Sequence, residues 1–313
     1  MNRYDLCALF LLLLSPAARS SEVRVAPDGD ALHLTIGGQA ICDYQMAPGD
    51  VPEGLSTAFR HGAHLHPIFT PSGRMVTGNH PPDHPWQRGV WLAWTKTAFG
   101  EAHPDFWNQG KGETITAEVR FDSLVKTWNG PTGGFVSKHR FLSGNHDVLA
   151  ETWEVTVAQR ELAGRLVNLI DLTSTQTCAG PKPLKLPKYH YGGLGVRGNR
   201  AWDPVEEVTM LTSEGLDRAK GDATKAKWVA MSGLVDGAPA GIAVLIHPEN
   251  FRFPQPLRLN PKNPQFCVAP SQDGDWSIEP GQPYVSRYRL LAFDGELDPK
   301  WLAAAWSDYA ARP

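Results

Sequence analysis

Apolar and polar residues alternate with a period of two along most of this chain, and glycine or proline interrupts the alternation at short intervals. That pattern leaves little room for any architecture but sheet joined by tight turns. Ala31-Leu32-His33-Leu34-Thr35-Ile36 meets Gln39-Ala40-Ile41-Cys42-Asp43-Tyr44 across Gly37-Gly38, which predicts a hairpin. Thr114 to Phe121 alternates in the same way, and Phe135 to Leu142 with Val148 to Val157 flanks a Gly144-Asn145 turn. Leu166 to Leu172 is nearly continuous β-type apolar sequence, as expected of a strand covered on both faces. Further strands are read at Val90 to Trp94, Val205 to Leu211, Lys227 to Ala230, Gly241 to Ile246 and Tyr284 to Phe293. One helix is read, at the C-terminus: Asp298 caps it, Pro299 suits its first turn, and Trp301, Leu302, Ala305, Trp306 and Tyr309 share one side. With no internal repeat and no linker, the expectation is an all-β protein: a large antiparallel β-sandwich with a short C-terminal helix, one domain over residues 21–313.

Leu6 to Leu14 is a short apolar run behind Arg3, and Ala18-Arg19-Ser20 has a small-x-small cleavage pattern, so residues 1–20 read as a secretory signal peptide. The run is shorter than the roughly 20 apolar residues that span a bilayer. The product is expected to be exported, periplasmic or extracellular, with no membrane insertion. Residues 1–20 carry Arg3 and Arg19 against Asp5, so their removal takes the net charge from −3 to −4. A weakly acidic chain without a Lys/Arg run is a poor nucleic-acid binder. Cys42, Cys178 and Cys267 would remain, an odd number whose spacing fits no zinc ribbon; buried thiols are expected, with one bridged pair as the alternative.

The densest chemistry lies in Asn79-His80-Pro81-Pro82-Asp83-His84-Pro85-Trp86-Gln87-Arg88-Gly89, continuing through Trp91, Trp94 and Lys96 to Pro104-Asp105-Phe106-Trp107-Asn108. Prolines 81, 82 and 85 hold φ near about −65° and push their predecessors away from helix, which predicts a stiff, extended loop. Rigid loops bearing titratable groups are where binding and catalysis concentrate. His80, Asp83 and His84 can serve acid–base or metal chemistry; the structural alternative is a loop held by histidine-to-backbone bonds. As sequence neighbours, Asp83 and His84 are not expected to pair with each other; a partner from His64, His66 or His190 is expected instead.

His64-Leu65-His66 places two imidazoles on one side of an extended segment, a pattern that would suit zinc with a third ligand. Tyr189-His190-Tyr191-Gly192-Gly193-Leu194-Gly195 lacks the Lys-Ser/Thr of a phosphate loop, so its glycines point to a bulge or a close ligand approach beside His190. Trp86 and Trp107, on loop segments, are the better sugar platforms, whereas Trp91 reads as core. Arg197, Arg218, Arg252 and Arg258 read as carboxylate or hydroxyl clamps or else as structural salt bridges. Glu214 is presented by a Thr212-Ser213-Glu214-Gly215 turn, and His247 ends a strand before Pro248. The absence of GxSxG, CxxC, HExxH and Walker patterns removes support from serine-hydrolase, thioredoxin-like, zincin and nucleotide-binding readings.

The stretches Thr77 to Pro85, Ala93 to Thr97, Pro104 to Asn108, Tyr189 to Gly198, Leu211 to Gly215, His247 to Arg252, Pro254 to Pro256 and Gly274 to Gly281 resemble a family of secreted bacterial proteins of unknown function. It carries the label "PmoA-like", or "methane oxygenase", and the resemblance covers nearly all of residues 21–313. The chain departs from it at Trp86, Arg88 and Asn260, where the family commonly has His. Membrane-bound methane oxidation would need several spanning helices, and none is read here. What the resemblance implies is a supersandwich-like fold, as in the β-sandwiches of sugar-acting enzymes such as aldose epimerases, which use a His/carboxylate pair on one sheet face.

The expectation is therefore an exported carbohydrate-active enzyme of epimerase, lyase or hydrolase type. His84 and His190 would carry protons, with Glu214 or Asp105 as the carboxylate. Lys96, Arg197 and Gln87 would orient hydroxyls between Trp86 and Trp107, and His66, His80, Asn108, His247 and Arg252 complete the substrate-binding set. The alternatives are a non-catalytic carbohydrate-binding module and a metal-dependent sugar enzyme; the sequence requires no cofactor, with a divalent metal as the alternative.

Overall fold

The computed structural model describes residues 22–311, so the expected signal peptide lies outside the described residues. Two large antiparallel sheets face each other. The nine-stranded sheet runs, in spatial order, Val23–Asp28, Ala31–Ile36, Gln39–Gln45, His64–Ile68, Val90–Ala93, Gly193–Arg197, Gln265–Val268, Gln255–Leu259 and Lys225–Ala226. The eight-stranded sheet runs Val208–Thr212, Trp228–Val235, Ala238–Ile246, Tyr284–Asp294, Arg165–Cys178, His146–Leu162, Gly133–Ser143 and Ala117–Trp128. Leu184–Leu186 and Trp276–Ile278 form a small separate ribbon. The strands Val23–Asp28, Gly193–Arg197, Gln255–Leu259 and Gln265–Val268 escaped the sequence reading, and Val205–Glu207, read as strand, forms a 3-10 turn ahead of Val208–Thr212; the hairpins around Gly37-Gly38 and Gly144-Asn145 formed as read.

Alternation explains the burial. Leu32, Leu34 and Ile36 point inward while Ala31, His33 and Thr35 are half-exposed. The eight-stranded sheet is covered on both faces: Ile170, Leu172, Val229, Met231, Ile242 and Val244 join the core between the sheets. Val167, Leu169, Trp228, Ala230, Ala243 and Leu291 pack outward against Trp301, Leu302, Ala305 and Tyr309 of the helix Pro299–Ala310. Asp298 Oδ1 caps that helix, accepting from the backbone of Lys300 at 2.9 Å and of Trp301 at 3.2 Å. No helix among the described residues is long and apolar enough to cross a membrane. Cys42, Cys178 and Cys267 are all free thiols, the first and last buried.

A polar network crosses the core between the sheets. His139 Nδ1 donates to Glu151 Oε2 at 2.8 Å, with both side chains fully buried, and His139 Nε2 lies 2.6 Å from the Tyr44 hydroxyl of the other sheet. Ser174 Oγ and Gln176 Nε2 donate to Glu151 Oε1 at 2.6 and 2.9 Å, and Trp94 Nε1 donates to Gln176 Oε1 at 2.8 Å. Every member has a partner, which is the condition for a buried charge to persist.

Candidate functional site

The loop that carries His84 closes on itself rather than extending. Asn79 bridges Arg88, His80 N–H donates to Gln87 O at 3.1 Å, and Gln87 N–H donates to His84 O at 2.9 Å. The prolines preset φ for turns as readily as for extended chain, and here turns win. Below it, Gly78 N–H donates to Arg197 O at 3.0 Å and Arg197 N–H to Gly89 O at 2.8 Å. The loop is thereby stapled to the seam where the early strand Val90–Ala93 pairs with the late strand Gly193–Arg197.

This seam builds a cleft on the sheet's outer face. Trp91, Gly195, Cys267 and Arg258 stand opposite one another in register, so they share a face, while Leu92, Leu194, Phe266 and Leu257 point into the core. Gly195 is required here: a Cβ would sit 2.6 Å from Trp107 Cη2 and 2.8 Å from Trp91 Cζ2. Above this row is a cavity of about 260 Å³ lined by His84, Trp86, Gln87, Trp107, Asn108, Lys111, His190, Tyr191, Arg258, Asn260 and Gln265. Six residues expected at a site thus meet across one opening: His84, Trp86, Gln87, Trp107, Asn108 and His190.

Asp83 and His84 do pair, contrary to the expectation for neighbours, because the turn brings consecutive side chains to one side. Asp83 Oδ2 accepts from His84 Nδ1 at 2.8 Å and from Asn263 Nδ2 at 2.8 Å. With Nδ1–H donated, the neutral ring carries its lone pair on Nε2. Burial alone would raise the Asp83 carboxyl, but Asn263, Arg197 and His84 together hold it below the usual carboxylate range. Arg197 is fully buried; its Nη1 donates to Gln87 Oε1 at 2.7 Å, Nη2 donates to Asp203, and Nη2 lies 3.5 Å from Asp83 Oδ1. It positions Gln87 and Asp83 from behind the cleft.

On the opposite wall, partial burial and the nearby Arg258 guanidinium lower the His190 imidazole, keeping it neutral, while Asp222 opposes them. Burial raises the Tyr191 phenol, so its hydroxyl stays protonated, and Asn108 Nδ2 donates to it at 3.1 Å. Asp105 does not reach the cavity. Its Oδ1 accepts from the backbone of Trp107 and Asn108 at 3.0 Å each, and its Oδ2 from Asn108 Nδ2 at 2.7 Å, so it sets the Asn108 amide. Trp107 is only 2% exposed, packed at 4.6 Å from Trp91 and 5.7 Å from Tyr191, so it forms a floor rather than a free platform. Trp86 is half-buried, with Lys111 Nζ 5.4 Å over its ring.

The structure leaves the other expected residues outside the cavity. Glu214 sits on an exposed turn, accepting from Ser213 Oγ at 2.9 Å. Lys96 is exposed elsewhere. His247 packs edge-on at 5.3 Å from Tyr309 of the terminal helix. Arg252 donates to the carbonyls of Pro270, Gly274 and Asp275, bracing a loop. His66 Nδ1 lies 2.9 Å from Thr77 Oγ1, and burial lowers its pKa to about 4. His80 donates to Phe59 O at 3.0 Å and stacks on His61 at 4.4 Å.

His61 and His64 are sealed beneath the loop with Arg88, whose guanidinium nitrogens have no hydrogen-bond partner among the described residues. Burial, with the Arg88 charge second, drives both imidazoles well below their ordinary range. No group of three or more His, Cys, Asp or Glu among the described residues is placed to hold a metal ion.

Sequence reasoning gave no site role to Tyr191, Lys111 or Gln265, marked Asn260 only as a departure from the family pattern, and left Arg258 between clamp and salt bridge. The available signal was alternation: on an extended segment, Arg258 and Asn260 fall on one face.

Fold and site define an all-β sandwich with a polar, histidine-bearing cleft on the outer face of one sheet. The chain belongs to a family of unknown function (DUF6807), which matches residues 31–307. Nothing in that match supports the "PmoA-like" label. No curated protein matches the sequence.

Proposed function

We propose that this protein is an exported carbohydrate-active enzyme that moves protons at a sugar carbon, of epimerase or lyase type. The observation that carries the reading is the cleft itself. Two imidazoles from distant parts of the chain, His84 and His190, line it together with a protonated phenol, Tyr191. Asp83 orients His84 as a base, and His190 is held neutral. Groups that titrate near neutrality, or are shifted by their surroundings, are the ones that trade protons. Four carboxamides, Gln87, Asn108, Asn260 and Gln265, offer paired donors and acceptors of the kind that read sugar hydroxyls, and Trp86 gives an apolar face.

Hydrolysis draws less support. Glycoside hydrolysis ordinarily uses two carboxylates about 5–9.5 Å apart across the bond. No carboxylate lines this cavity: Asp83 and Asp105 are turned to neighbouring donors, and Glu214 lies elsewhere.

The test is turnover on a panel of oligosaccharides, followed by mass spectrometry and NMR exchange of ring protons with deuterium. His84→Ala and His190→Ala should each reduce turnover by about 10²- to 10⁴-fold without loss of folded signal. Full activity in both variants would sink the reading. Binding that is flat with pH and yields neither product nor exchange would favour a non-catalytic carbohydrate-binding module.

A further inference from the structure

We propose that the cleft takes a sugar bearing a carboxylate, a uronide, and that Arg258 and Lys111 bind that carboxylate; this rests on the acid–base reading above. The charged side chains that line the cavity are both cations or imidazoles, with no anion among them. Three carboxylates behind the lining are already engaged. Asp222 takes Arg258 Nη1 and, at 3.0 Å, Leu259 N–H; Asp105 takes Asn108; Asp83 takes His84 and Asn263. The lining thus presents two cations to a ligand: Arg258 keeps Asp222 behind it, and Lys111 has no ion pair among the described residues, so a neutral sugar would leave Lys111 without an ionic partner. Arg258 is also close enough to His190 to bias it toward the neutral form. A carboxylate seated on Arg258 therefore brings the adjacent ring carbon, C5, toward an imidazole that can accept a proton.

The chemistry follows. Cations neutralising the carboxylate acidify the C5 hydrogen. His190 takes that proton while His84 Nε2, held by Asp83, accepts a hydrogen bond from a ring hydroxyl and fixes the sugar, and the C5–H electrons form a C4=C5 double bond. The C4–O glycosidic bond breaks, and the departing oxygen takes a proton from the Tyr191 hydroxyl. The imidazolium loses its proton to solvent and the phenolate regains one. The products are a 4,5-unsaturated uronide and a shortened saccharide; no water is consumed and nothing is oxidised overall.

The probes are oligogalacturonate, oligoglucuronate and oligomannuronate, each beside its carboxyl-reduced form, with cellohexaose as the neutral arm. Calorimetry reads binding, and ultraviolet absorbance reads the conjugated double bond. At least one acidic oligosaccharide should bind ten-fold or more tighter than its reduced partner, a difference of about 1.4 kcal/mol or more. That oligosaccharide should also give the conjugated product. Arg258→Met and Lys111→Met should each lose about ten-fold or more of that affinity. Lys111 is exposed, so its replacement spares the fold even where the loss of the Arg258–Asp222 pair does not. Equal binding of acidic and reduced forms, or no binding of any acidic form, overturns the proposal. Turnover of a neutral sugar that His84→Ala and His190→Ala abolish would overturn it while leaving the acid–base reading standing. Acidic oligosaccharides bound and turned over equally by wild type and both histidine variants would instead overturn the acid–base reading.

Discussion

Asp83 decides which nitrogen of His84 is available. Its carboxylate takes Nδ1–H at 2.8 Å, so the lone pair stays on Nε2. Asp83→Asn replaces one carboxylate oxygen by an amide donor, which permits the opposite tautomer. Turnover should fall by about 10²- to 10⁴-fold with an unchanged circular dichroism spectrum, and wild-type turnover would remove the dyad from the mechanism. At this scale the sequence was legible in part. His84 and His190 stood out because turn-forming residues flank each one. Glu214 looked equally well presented, yet its turn caps an edge strand away from the cleft. Arg258 read as a clamp or else a structural salt bridge, and it is paired with Asp222; nothing in its neighbours says which side of the sheet opens to solvent.

Within the elements, the Glu151–His139 pair links adjacent strands His146–Leu162 and Gly133–Ser143, where the two residues stand directly opposite. Glu151→Ala leaves His139, Ser174 and Gln176 without their acceptor in the dry core. It should cost about 3–5 kcal/mol, measured as a lower urea midpoint at unchanged slope. A double replacement, His139→Phe with Glu151→Leu, should cost less than the sum of the single changes. A loss under 1 kcal/mol for Glu151→Ala would show that the network contributes little. Alternation had marked these strands clearly, but the network was invisible in them. Ser137, His139, Glu151, Ser174 and Gln176 sit at inward positions that period-two reading reserves for apolar side chains, and they are tolerated because each finds a polar partner, Ser137 on its own strand and the others across strands.

For the whole molecule, the buried histidines set the response to acid. His66 is lowered to about 4 by burial, and His61, His64 and His80 are lowered in the same direction, burial being the largest cause for each. A depressed folded-state pKa means that the unfolded chain binds protons first. The stabilisation from neutral burial is therefore complete above about pH 6.5 and is lost as pH falls toward 4. His33, raised chiefly by its bond to Asp43, works oppositely and offsets part of the loss. Asp83 and Asp294, both held low, lose their contribution only below about pH 4. The thermal midpoint should fall steadily between pH 6.5 and 4.5, and a flat midpoint across that range would contradict the burial of these rings.

Local chemistry fixed many of the strands, the Gly37-Gly38 and Gly144-Asn145 turns and the capped terminal helix, because period, proline and glycine act over a few residues. Burial of Trp91 and the free thiols at Cys42 and Cys267 also followed from residue type alone. The choice of residues that face the cleft was made elsewhere, by the pairing of Val90–Ala93 with Gly193–Arg197 and by the register that sets Arg258 in line with Gly195. A strand carries no local record of its distant partner, and a shift of one residue turns every side chain to the opposite face. That is why His84 and His190 could be singled out from the chain, while their meeting across one opening with Tyr191, Lys111 and Arg258 came only from the folded sheet.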